Sequence, residues 1–106
     1  MKLTKQQGDV LIFKVDKLPD GLDLAKVNNG KYVLAAGETT GHAHVMDAGV
    51  GTMYADSEKT LWLKVEKAAT ITHEEHHPVT LDPGFYKIGI VREVDPFSEE
   101  IRRVTD

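Results

Sequence analysis

Five histidines occupy two short segments of this 106-residue chain, His42-Ala43-His44 and His73-Glu74-Glu75-His76-His77. Imidazole is a borderline ligand suited to zinc, iron, nickel, copper or manganese. Its clustering with carboxylates therefore points first to a divalent transition metal, here Zn, Fe, Ni or Mn. On a strand, residues i and i+2 face the same way, and His42 and His44 would stand about 6.5–7 Å apart at the backbone. Two imidazoles leaning together from that spacing can chelate one ion. A surface pair of hydrogen-bonded histidines is the bland reading of His-x-His taken alone. The second segment shifts the balance by adding nitrogens and a carboxylate.

The expected ligand set is His42 and His44 from one strand with His73 and His76 from a facing segment. Strand alternation would put His73, Glu75 and His77 on one face and Glu74 and His76 on the other. A turn ahead of Pro78 would break that rule, so the choice among His73, His76 and His77 stays open. Glu75 is the candidate fifth ligand or general base. Arg92 is a candidate anion-binding group beside Ile88 and Ile90, or the partner of a neighbouring carboxylate. A metal with an open position would lower the pKa of bound water and polarise an oxygen ligand, supporting hydrolysis, isomerisation or oxygen chemistry on a small molecule.

Two sharper patterns fail on context. His73-Glu74-Glu75-His76-His77 spells H-E-x-x-H, but that motif works on a helix. Here β-branched Thr70-Ile71-Thr72 precedes it and Pro78 follows. Glu38, His42, His44, Thr52 and Asp56 approach a metal-isopeptidase pattern, but Asp56 falls one residue late, which on a strand reverses its face.

The elements that must position these residues are strands. Periodicity is close to two over most of the chain. Strands are expected at Gly8–Val15, Lys31–Ala36, His42–Asp47, Thr52–Ala55, Lys59–Glu66, Ala69–His73 and Phe85–Val94. Asn28-Asn29-Gly30 is a hairpin signal, because Asn and Gly tolerate positive φ. Ala48–Gly51 and Leu81–Gly84 read as turns. Leu61, Leu63 and Val65 should share one face, with Trp62, Lys64 and Glu66 on the other. Asp95 and Pro96 can start a short C-terminal helix, with Glu99 and Glu100 early and Arg102 and Arg103 late, complementing its dipole. Short strands between turns at roughly 8–12-residue spacing predict an all-β fold, a small antiparallel barrel or sandwich with one short C-terminal helical turn. The length fits one domain, residues 1–106.

Composition narrows the rest. With no cysteine, disulfides, thiolate metal sites and a cysteine nucleophile are excluded, which fits a cytoplasmic protein. Thirteen basic against 17 acidic residues give a net charge of −4. That balance disfavours nucleic acid as an extended partner. The N-terminal Met-Lys-Leu-Thr-Lys-Gln-Gln lacks an apolar signal region. No apolar run approaches the ~20 residues that span a bilayer.

With its early H-x-H and later histidines, the chain resembles the cupin superfamily across roughly Gly37 to Ile90. The first cupin motif, G-x5-H-x-H-x3,4-E-x6-G, maps in part onto Gly37…His42-Ala43-His44. The glycine lies one residue too close, and Ala48 or Gly49 stands where glutamate is expected. The second motif is further off: Pro83-Gly84 lacks the intervening residue, and Lys87 stands near the histidine position. The resemblance implies a double-sheet barrel holding a metal on inward-facing strands, with second-half ligands drawn from His73, His76 or His77. The chain is also similar to a group of short bacterial and phage proteins carrying Thr-Gly-His-Ala-His, Thr-His-Glu-Glu-His and a terminal Arg-Arg-Val-x-Asp. That likeness implies no activity, and it singles out Thr40, Gly41, His42, His44, His73, Glu75 and His76.

Two other functions stay open. In one, the histidines act without metal as general base and acid on a phosphodiester or nucleotide, with Arg92 holding the phosphate. In the other, the chain is a non-catalytic binding or assembly module, a homo-oligomer through its strand edges.

Overall fold

The computed structural model describes residues 2–36 and 41–91. Ten strands follow one another: β1 (Lys2–Gln7), β2 (Val10–Val15), β3 (Asp23–Leu24), β4 (Lys31–Ala36), β5 (Ala43–Asp47), β6 (Gly51–Ala55), β7 (Leu61–Val65), β8 (Ala69–Thr72), β9 (Val79–Leu81) and β10 (Gly84–Ile90). One 3₁₀ turn, Ala48–Val50, joins β5 to β6, and the Asp47 carboxylate accepts the Gly49 N–H at its start. The strands make two antiparallel sheets. One runs β1-β2-β10-β7-β6-β3 and the other β4-β5-β8-β9. The expected all-β antiparallel architecture is present, and of barrel and sandwich it is the sandwich: the sheets do not close into a barrel. The expected C-terminal helix lies outside the described residues.

Strand alternation builds the core. Leu63 and Val65 of β7 are buried at 0% and 3% exposure, while Lys64 between them faces solvent. Tyr86 and Ile88 of β10, Ile12 of β2, and Met46 and Ile71 from the other sheet complete the layer between the sheets. The other face of the six-stranded sheet carries a cross-strand row in register, Leu3, Phe13, Lys87, Trp62, Tyr54 and Leu24. Trp62 is fixed there by its Nε1–H on Asp56 Oδ2 at 3.2 Å, with Lys87 Nζ 5.6 Å from the ring centre. It is a packing residue of that row.

Two turns behave as their chemistry requires. Asn29 and Gly30 have φ of 51° and 75°. Asn28 and Lys31 exchange both backbone hydrogen bonds across them, so the Asn-Gly turn forms. The segment before it does not become a full partner of β4, because β3 pairs with β6 instead. The first predicted strand begins two residues late, at Val10. Gly8, with φ of 56°, lies in the two-residue turn that joins β1 to β2.

Candidate functional site

The histidines meet at one end of the sandwich. His42 directly precedes β5 and His44 lies within it, while His73 and His76 come from the connection between β8 and β9. β5 and β8 are neighbours in the four-stranded sheet, paired through Val45–Thr72 and Met46–Ile71. That pairing brings the start of one strand beside the end of the other. On β5, His44 and Met46 alternate inward with Val45 less buried between them. A β-bulge in β4 lies opposite, where the register shifts between Val33–Val45 and Ala35–His44. Bulges commonly sit where a side chain must be re-aimed.

Four imidazoles are in ring contact. His44 and His73 centres are 4.4 Å apart, His73 and His76 4.6 Å, His44 and His76 5.8 Å, and His42 and His73 5.7 Å. These are the four residues of the expected ligand set, where the choice among His73, His76 and His77 stood open. The structure brings them together although His42 and His44 are separated in sequence from His73 and His76 by about thirty residues. The residues from His73 to Pro78 are not strand, with a bend over Glu74 to His76, so the alternation that would have parted His73 from His76 does not apply. His77 is exposed and takes part through its carbonyl, which accepts from the Gln7 side chain at 2.9 Å.

His44 is the deepest of the group, at 6% exposure. Its Nδ1 lies 2.7 Å from Gln7 Oε1. Burial lowers its pKa from 6.5 to about 4, helped by repulsion from His73 and His76 and opposed by Asp9 and Glu74. Its neutral form, the metal-binding form, is therefore dominant around neutrality.

The carboxylates stand around the rim. Glu74 Oε1 accepts the Ala43 N–H at 2.8 Å, tying the β8–β9 connection to the start of β5. That bond leads the causes that hold Glu74 below the usual carboxylate range, with the two neighbouring histidines contributing less. Glu75 is largely exposed, its Oε1 3.7 Å from His42 Nδ1. Its own N–H donates to His73 Nδ1 at 3.0 Å. Arg92, Glu38 and Thr40 lie outside the described residues.

Residues Gln7 and Gly8, which no motif marks, close the site from the six-stranded sheet. Gln7 is 2% exposed. The His76 ring lies over Gly8, with Nε2 only 2.5 Å from where a Cβ would stand. As they stand, no three His, Asp or Glu side chains among the described residues are arranged to hold an ion. Two of the rings have other neighbours: His73 Nδ1 accepts a backbone N–H, and His76 Nε2 lies against Gly8. Two open concavities, of about 580 and 310 Å³, lie elsewhere, one lined by Lys2, Lys14 and Asp16 among others and one by Lys31, Asp47 and Thr70 among others. Among the described residues no helix is long and apolar enough to cross a membrane.

A family model described as Domain of unknown function (DUF8820) matches residues 6–91. No curated protein and no solved structure matches the chain.

Proposed function

We propose that this chain, which belongs to the DUF8820 family, binds a divalent transition metal at the rim formed by His42, His44, His73 and His76, and presents it to a small oxygen-bearing molecule. The observation that carries the reading is the convergence of imidazoles from two separate segments. With metal–nitrogen bonds of about 2.0–2.1 Å and tetrahedral angles, rings sharing one ion have centres about 5 Å apart. The separations among His44, His73 and His76 are 4.4, 4.6 and 5.8 Å, on both sides of that spacing.

His44 is the anchor, held inward and neutral. His73 and His76 reach coordinating geometry by turning about their side-chain bonds, exchanging the Glu75 N–H and the Gly8 contact for the ion. His76 is exposed, and rotamer changes of exposed side chains take only picoseconds to nanoseconds. His42, 23% exposed, is the fourth nitrogen, and Glu75 beside it is the carboxylate at the solvent side. Three or four imidazoles favour zinc or nickel over iron or manganese. A bound ion with an open position supplies Lewis acidity and a more acidic bound water. The metal-free acid–base reading fits less well, because His44 is largely unprotonated around neutrality and is a weak base there.

Dialysis of untagged protein against Zn, Fe(II), Ni or Mn, followed by elemental mass spectrometry, tests this. Near-stoichiometric metal is expected in the wild type and in His77→Ala, and it should be lost in His42→Ala/His44→Ala. Wild-type protein that stays metal-free with all four ions overturns the reading.

A further inference from the structure

We propose that Gln7 is the positioning residue of the histidine site: it holds His44 in the Nδ1–H tautomer and so leaves the Nε2 lone pair as the atom offered to a ligand. The inference rests on the metal reading for what Nε2 meets, but not for the tautomer itself.

The hydrogen bonds leave one solution. The Gln7 Nε2 amide group donates to Ile71 O and to His77 O, each at 2.9 Å. Both acceptors are backbone carbonyls, which cannot donate, so the side-chain nitrogen must face them and the oxygen must face away. That oxygen lies 2.7 Å from His44 Nδ1. An amide oxygen only accepts, so Nδ1 must carry the proton, and in the neutral ring Nε2 is then bare. Gln7 and His44 are both buried, at 2% and 6% exposure, so water does not readily replace either partner.

Metal-binding histidines usually donate their second ring N–H to a carboxylate, carbonyl or water, which fixes tautomer and ring orientation. Gln7 supplies an amide oxygen for that role, from the sheet opposite the histidines. The same side chain grips the two ends of the histidine connection: Ile71 is in β8, and His77 lies just before Pro78. A single residue of β1 thus sets the donor atom of His44 and the placement of the loop that carries His73 and His76.

The test is ¹⁵N NMR of the imidazoles in untagged, metal-free protein near neutral pH, with the His44 signals assigned by their loss in His44→Ala. A protonated-type shift at Nδ1 and an unprotonated-type shift at Nε2 are expected, and the reverse pattern overturns the proposal. The acceptor that fixes this pattern is Gln7 Oε1. Gln7→Leu removes it and should lose that signature, with metal affinity falling about 10–100-fold. A folded Gln7→Leu protein that keeps both overturns the proposal, and if that variant does not fold, the wild-type spectrum decides. The spectra are recorded without metal. Protein that shows the expected tautomer but binds no ion therefore refutes the metal reading alone.

Discussion

Burial gives His44 a pH-dependent share in stability. Its pKa falls from 6.5 to about 4 on folding, mainly because the charged ring would lose water in its buried position. Between those values the unfolded chain binds the proton that the folded chain refuses, so stability rises with pH through this window. The contribution is complete above about pH 6.5, declines as pH falls, and is gone near pH 4, where both states are protonated; it is on the order of 3 kcal/mol at most. Urea unfolding at a series of pH values should show this slope. His44→Asn, which cannot titrate but keeps an N–H donor toward Gln7, should flatten it between pH 4 and 6.5. An unchanged slope in that variant would assign the pH dependence to other groups.

Turn elements differ in what their glycines do for the site. Gly30 has φ of 75° and nothing within 4 Å of an added Cβ, so Gly30→Ala should cost about 1–2 kcal/mol of left-handed backbone strain and leave metal affinity unchanged. Gly8 has φ of 56° and also the His76 ring against it. Gly8→Ala should show the same strain and in addition displace the His76 ring from Gly8, the contact that metal binding also gives up, raising metal affinity in calorimetry relative to Gly30→Ala. Equal affinities in the two variants would show that His76 is not a ligand. The same contrast explains what could be read from sequence. Asn29-Gly30 announces its turn locally, and His-x-His announces a shared face because strands have period two. Gly8 and Gln7 carry no such signal: Gln7 reaches Ile71, His77 and His44 across 64, 70 and 37 residues. β1 carries a weak signal for a related reason: Lys-Leu-Thr-Lys-Gln-Gln has almost no apolar alternation, and only Gln7 of it is buried. The inward residue among His73, His76 and His77 was undecidable because strand geometry does not aim those side chains.

For the molecule as a whole, the site spans the two sheets: the histidines belong to β5 and the β8–β9 connection, while Gln7 and Gly8 belong to the β1–β2 hairpin. Folding therefore assembles the site, and an ion that prefers the assembled form must stabilise the sandwich by mass action. At free metal about 100 times Kd the gain is about 2.7 kcal/mol, and for a chain near 100 residues each kcal/mol raises Tm by about 4–8 °C. Calorimetric scans should thus show Tm rising by roughly 10–20 °C on metal addition. A core substitution separates fold from site. Leu63 is fully buried between the sheets, and Leu63→Ala should cost about 2–5 kcal/mol. Because it removes no group of the histidine site, it should lower the Tm of metal-free and metal-loaded protein together and preserve the gap between them. His42→Ala/His44→Ala should do the opposite and close the gap. If metal raises the Tm of that double variant as much as the wild type, the stabilising ion binds somewhere other than the histidine rim.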